Sequence, residues 1–241
     1  GALVLVNGAR SNEELARNQA ESNFRMALKA VDNYLTNVSE NRLLKEQQMA
    51  VATAMAKQVN MALDNAQLIQ DLEDLATTDG LTRLYNRRYF MERAESEFER
   101  SRRYRRDLSV FLIDADHFKL INDSHGHEAG DRALRFLASA CREGLRQLDV
   151  IGRYGGEELV VLLPETSAGL AYETAERLRQ SIEQMQIPLP EGEVRLTVSI
   201  GVATAGPETE TVAALVNQAD RSLYEAKRNG RNQVVAAGTS R

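Results

Sequence analysis

The sequence predicts an α/β fold of the α+β kind, with a central, mainly antiparallel sheet flanked by helices and preceded by a long helical extension. Three observations predict it. Short apolar-rich runs at 108–113, 159–163 and 196–202 have the length and composition of central strands. Segments 131–148, 167–184 and 212–228 alternate with them and space their apolar residues by threes and fours, so each offers one face to a sheet. No proline interrupts residues 14–77, where the same helical spacing recurs.

Taken in order, residues 1–7 (Gly-Ala-Leu-Val-Leu-Val-Asn) read as a terminal strand of a sensor domain. Phe24, Leu28, Val31, Leu35 and Val38 then recur at four, three, four and three, and Ala52, Met55, Val59, Ala62, Ala66 and Ile69 continue the stripe, with Ser39, Glu40 and Asn41 as a local break. Two such stripes can pair as a parallel coiled-coil-like dimer, or pack against each other within one chain. Residues 1–76 are thus expected to be a sensor remnant and signalling helix, set apart from a second domain over 77–241. In the later part, Ala171, Ala175, Leu178 and Ile182 form a packed helix face, and the lone cysteine, Cys141, reads as core.

Composition excludes several functions. A formal charge of -5 over 241 residues argues against a broad nucleic-acid surface. His117, His125 and His127 lie close together, but lack cysteine neighbours and the i, i+4 spacing of a zinc helix. With no apolar span of 18 residues, no secretory leader and one cysteine, the expectation is a cytoplasmic chain without direct membrane contact. The missing initiator methionine points to a fragment, which leaves room for a membrane-tethered parent.

The most informative stretch is Arg153-Tyr154-Gly155-Gly156-Glu157-Glu158-Leu159, a tight turn feeding an apolar strand. Gly155 and Gly156 let backbone approach a ligand, and Glu157 and Glu158 supply hard oxygens suited to Mg²⁺ with phosphate. About forty residues upstream, the strand at 108–113 ends in Asp114-Ala115-Asp116. Carboxylates are costly to bury at a strand end unless a cation or donors hold them. Asp114, Glu157 and the Ala115 carbonyl can grip a divalent ion from two sides, a pattern suited to phosphoryl or nucleotidyl transfer.

Asp114-Ala115-Asp116-His117-Phe118-Lys119, then Asn122-Asp123, Gly126-His127, Gly130-Asp131 and the glycine turn, in that order, resemble the GGDEF family of diguanylate cyclases in its Glu-Glu form. Thr78-Asp79-Gly80-Leu81-Thr82-Arg83-Leu84-Tyr85-Asn86-Arg87-Arg88 resembles the family's opening motif, so the likeness runs from about residue 77 to 235. The helical region before it is weakly similar to the end of a GAF domain. The resemblance implies a nucleotide-cyclase palm that condenses two GTP into cyclic di-(3′→5′)-GMP and two pyrophosphates, one GTP per domain of an antiparallel homodimer. It implies two Mg²⁺ per site, with Mn²⁺ as a substitute, on Asp114, the Ala115 carbonyl, Glu157 and Glu158. Glu158 would hold or deprotonate the attacking hydroxyl.

It further implies guanine contacts from Asn122 and Asp131 and triphosphate contacts from Lys119, Lys227 and Arg231, with Phe118, Gly155 and Gly156 beside the substrate. Arg146 and Asp149, at the family's RxxD spacing, would bind product as an inhibitor, with Arg177 as a secondary contact. Each has a plainer role: Asn122 closing a turn, Asp131 capping a helix near Arg132, Lys227 and Gly230 ending a helix, Arg146–Asp149 as a local salt bridge. His127 is expected to order a loop. Ala115 and Leu159 depart from the usual larger aliphatic and phenylalanine, which bears on rate rather than reaction class. A silent cyclic di-GMP or GTP receptor and a helical dimerisation scaffold are the alternative functions.

Overall fold

The computed structural model describes residues 19, 21–33, 42–189 and 192–238, without the side chains of 42–46 and 69–73. The chain divides into two compact units, Gly1–Leu72 and Glu73–Arg241. In the first, α1 (residues 21–33) precedes α2 (Arg42–Thr77), which runs on into the second. Along the predicted stripe, Phe24, Val31, Ala52 and Val59 are half-buried, whereas Leu28, Met55, Ala62 and Ala66 are exposed. The terminal strand at 1–7, Leu35, Val38, the break at 39–41 and the side chain of Ile69 lie outside the described residues.

The second unit contains β1 (Tyr85–Asn86), α3 (Arg87–Tyr104), β2 (Leu108–Ala115), α4 (Phe118–His125), α5 (His127–Gly144), β3 (Val150–Arg153) and β4 (Glu158–Pro164). It continues through α6 (Ala168–Glu183), β5 (Gln186–Leu189), β6 (Gly192–Arg195), β7 (Val198–Thr204), α7 (Val212–Arg228) and β8 (Val234–Ala236). Six strands form one sheet in the order β1-β3-β4-β2-β7-β8, and β5 and β6 form a separate hairpin. The four central strands are antiparallel; only β1–β3 and β7–β8, at the edges, are parallel.

Alternation along the strands divides the core in two. Phe111, Ile113, Leu159, Val161, Ile200 and their neighbours face α5 and α6, while Val110, Leu112, Val160 and Leu162 face α3 and α7. Leu159, the smaller residue at the usual phenylalanine position, is fully buried in the first of these clusters. Gly201 on β7 permits the closest helix contact, because a Cβ there would lie 2.1 Å from both Ala219 O and Leu223 N of α7. That approach brings the last turn of α7, and with it Lys227, to the sheet.

Helix α6 keeps its predicted span, with Ser167 at the N-cap, and α7 matches residues 212–228. The helix expected over 131–148 instead covers His127–Gly144. Gly126, at φ 81, ends α4 and opens α5, a backbone state that favours glycine. His127 is therefore the first helical residue rather than part of a loop, and Asp131 lies inside the helix rather than capping it. The other end is short because residues 146–149 close a turn, with Asp149 N donating to Arg146 O at 3.0 Å. Strand β7 starts at Val198 rather than 196, although Leu196 is buried just before it.

Candidate active site

The two central strands end together. Asp114 on β2 pairs in register with Glu158 on β4, so both side chains leave the same face, the one covered by α7. Asp114 is 7% exposed, and Glu157 and Glu158 are half-buried. The Ala115 amide donates to Glu157 O at 3.4 Å, and antiparallel alternation turns the Ala115 carbonyl toward that same side. The Ala115 carbonyl and the three carboxylates thus converge at one end of the sheet.

The glycines of the turn have separate roles. A Cβ on Gly155 would lie 2.7 Å from Glu158 Oε2, so this glycine makes room for the carboxylate, whereas Gly156 has open space around its Cα. Tyr154 N and Gly155 N both donate to Glu158 O, at 2.8 and 3.3 Å, which closes the turn. Arg153 holds it from outside: Nη2 donates to Gly156 O at 2.7 Å, Nε to Gly155 O at 3.2 Å, and Nη1 to both Asp79 oxygens at 3.0 Å. Asp79 also accepts from Thr82 N and Oγ1, and its pKa lies below the usual carboxylate value despite burial because these donors favour the charged form. The sequence offered Asp79 and Arg153 only as members of motifs; their joint role was not legible there.

Lys227 Nζ lies 2.7 Å from Asp114 Oδ2. Burial pushes the Asp114 carboxyl up to about 6, against the pull of Lys227 and with the repulsion of Glu157 and Glu158. Since the folded protein holds this proton more tightly than the unfolded chain, the stability it contributes is complete below the ordinary carboxylate pKa and is lost as pH rises through about 6. Urea unfolding of wild type should therefore gain stability relative to Asp114→Asn on acidification from about pH 6 to pH 4. Midpoints that run parallel for the two proteins would contradict this.

Among the described residues no three His, Cys, Asp or Glu side chains form a ready metal cluster. The donor set nevertheless fits Mg²⁺, which uses one or two carboxylates and completes its shell with water and substrate phosphate. Asp114, buried and already paired with a cation, is the side chain best placed to serve, with the Ala115 carbonyl and Glu157 beside it.

Asn122 and Asp131 lie on α4 and α5, which pack against each other. Asn122 lies so close to Gly130 that a Cβ there would clash with its Oδ1 and lie 3.0 Å from Phe118 Cζ, so Gly130 makes room for the Asn122 side chain one residue before Asp131. Asn122 and Asp131 are half-buried; Lys119 is exposed on α4. Gly130→Ala should displace the Asn122 side chain and cost about 1 to 3 kcal/mol of stability, read as a lowered urea midpoint. An unchanged midpoint would show that Asn122 moves aside without loss.

A second cluster lies at the α5–β3 turn. Asp149 Oδ2 accepts from Arg146 N at 2.8 Å, Arg177 Nη2 donates to Gly144 O at 3.0 Å, and the charges of Arg146 and Arg177 both act on Asp149. Burial still raises the Asp149 pKa. Arg146 and Arg177 are exposed. Cys141 is buried, and its thiol is pushed up to about 12, so it is packing. Arg231 is exposed beyond α7, and Gly230, Arg231 and Asn232 all have positive φ. The sequence missed Asp116, which is 4% exposed and accepts from Thr197 Oγ1, Ser199 Oγ and Asn232 N, tying β2 to β7 and the segment before β8.

An antiparallel sheet with opposed carboxylates at the ends of its two central strands and a helix-borne lysine upon them defines a palm-type domain. The chain belongs to the GGDEF family: the model for "Diguanylate cyclase, GGDEF domain" matches residues 76–233. It is 39% identical over 179 residues to Diguanylate cyclase A of Treponema denticola, covering 73% of this chain and 47% of that protein. The coiled coil and GGDEF domain of DgcB from Caulobacter crescentus, solved with c-di-GMP, matches at TM-score 0.70 and 28% identity, over 78% of this chain and 100% of that one. The structure described as the active GGEEF domain of a diguanylate cyclase from Vibrio cholerae matches at TM-score 0.61 and 34% identity, over 64% and 98%. The chain spans about half the length of the curated relatives it matches. No helix among the described residues is long and apolar enough to cross a membrane.

Proposed function

We propose that this chain is the catalytic part of a diguanylate cyclase, joining two GTP molecules into cyclic di-(3′→5′)-GMP with release of two pyrophosphates. The observation that carries this reading is Asp114 set opposite Glu158 across β2 and β4, with Glu157 alongside. The Vibrio cholerae relative supports it, because its Glu-Glu domain is described as active.

Guanine lies against Asn122 and Asp131, where an ionised carboxylate accepts from N1–H and the 2-amino group, donors that adenine lacks. Lys119, Lys227 and Arg231 meet the triphosphate, and for Lys227 this means leaving Asp114. Asp114, the Ala115 carbonyl, Glu157 and Glu158 would hold two Mg²⁺ ions, or Mn²⁺ in their place, and these would supply charge neutralisation for the triphosphate and a lower pKa for the attacking hydroxyl. Glu158 orients the 3′ hydroxyl and takes its proton. The 3′ oxygen bonds to the α-phosphorus of the other nucleotide, the bond from that phosphorus to the β-phosphate oxygen breaks, and pyrophosphate leaves with the electron pair.

One domain holds one GTP, so product requires two copies facing each other. The stripe Ala52, Met55, Val59, Ala62 and Ala66 on α2, of which Met55, Ala62 and Ala66 are exposed, supplies the seam that a second copy's helix covers. Cyclic di-GMP binds back at Arg146, Asp149 and Arg177, its guanine and phosphate edges matching guanidinium donors. Arg146→Ala should weaken cyclic di-GMP binding about tenfold or more and relieve product inhibition in proportion, read by calorimetry and progress curves. Unchanged affinity would sink that site.

The reaction itself is tested by incubating the purified dimer, freed of bound cyclic di-GMP, with GTP and Mg²⁺ beside Glu158→Ala. Cyclic di-GMP and pyrophosphate from wild type alone establish it; no product from a dimer shown to bind GTP overturns it.

A further inference from the structure

We propose that Arg179, a buried residue of α6, is a positioning residue for the segment that presents Arg231. This rests on the reading of Arg231 as a triphosphate contact. Gly230, Arg231 and Asn232 take φ 112, 64 and 47 in succession. Left-handed backbone in residues that carry side chains persists only where the surroundings over-determine it.

Here the surroundings converge on Asn232. Its amide N donates to Asp116 Oδ2 at 3.0 Å, its Nδ2 to Glu183 Oε1 at 2.7 Å, and its Oδ1 accepts from Arg179 Nη1 at 2.6 Å. Arg179 is in turn immobilised, being 9% exposed and donating to both Glu176 oxygens and to Glu183 Oε2 at 2.8 to 3.2 Å. Immediately after Asn232, Gln233 O accepts from Ile200 N at 3.0 Å and β8 begins. Arg231 is therefore flanked by a residue fixed on one side to Asp116, two positions beyond the catalytic Asp114, and on the other to α6.

An arginine that only stapled α6 would need Glu176 and Glu183, which stand three and four residues away on the same helix. Its bond to Asn232 spans 53 residues and ends one residue from Arg231. The planar guanidinium serves Glu176, Glu183 and Asn232 at once, a geometry that a lysine ammonium does not reproduce.

The test compares wild type, Arg179→Lys, Asn232→Ala, Arg231→Ala and the Arg179→Lys/Arg231→Ala double variant. It reads affinity for α,β-methylene GTP and for GMP, together with thermal melting. Arg179→Lys should weaken the triphosphate analogue on the order of tenfold and leave GMP binding unchanged, because one charge-assisted contact is misplaced while the guanine contacts remain. Asn232→Ala, which cuts the same link and leaves the Glu176 and Glu183 bonds of Arg179 in place, should reproduce that pattern. In the Arg231→Ala background, Arg179→Lys should have no further effect. Additive losses in the double variant, equal loss of both ligands, or lowered melting with analogue affinity intact would overturn the proposal and leave Arg179 a stabilising residue. Arg231→Ala binding the analogue as tightly as wild type would instead remove the reading of Arg231, and the positioning role with it.

Discussion

Asp114→Asn should lower cyclic di-GMP formation by about 10³-fold or more, the scale seen when a preorganised charge is deleted from a reacting centre. Asparagine keeps the shape of the side chain and removes its charge, so the effect separates electrostatics from packing. The fold should survive. Asp114 is buried beside two other carboxylates, which makes its ionised form a burden above about pH 6, and Lys227 keeps a partly exposed ammonium that water can accept. The melting temperature at neutral pH should match or exceed wild type. Chromatographic quantification of product beside a melting curve checks both halves, and activity above a tenth of wild type would remove Asp114 from the reaction.

Gly201→Ala carries the largest expected effect on stability, a loss of about 3 kcal/mol or more. The added methyl would lie 2.1 Å from a carbonyl oxygen and an amide nitrogen of α7, and neither backbone atom belongs to a side chain that can rotate away. Relief requires moving the helix, which buries Val212, Leu215, Val216, Ala219 and Leu223 against the sheet. Because Lys227 sits in the last turn of the same helix, activity should fall along with the urea midpoint. An unchanged midpoint would show that α7 can shift without loss.

The central strands, seven or eight residues long, were legible because burial on both faces concentrates apolar residues in them. Helices α6 and α7 were legible from the spacing of their apolar residues. The edges were not. β1 has two residues and β3 four, too few for a period, and among the described residues of the β5–β6 hairpin only Ile187 is fully buried. In α3 the buried Phe90, Ala94 and Phe98 are separated by charged residues, so its mean pattern is polar. The carboxylates of the site could be read from motifs because their chemistry is local. Asp116, Asn232 and Arg179 could not, since their bonds join residues 53 and 116 positions apart.

The junction at the start of the catalytic unit has a practical consequence for dissecting the protein. Ala76 O is held by Asn86 Nδ2 at 2.9 Å and Arg88 Nη2 at 2.7 Å, Asp74 pairs with Arg83 at 3.0 Å, and Asp79 shares Arg153 with the glycine turn. A truncation placed at residue 80, although it spares every strand, would strip the outer anchor from the guanidinium that shapes the Glu157–Glu158 loop. A fragment that keeps all of these bonds must therefore begin at or before Asp74, upstream of the first residue matched by the family model.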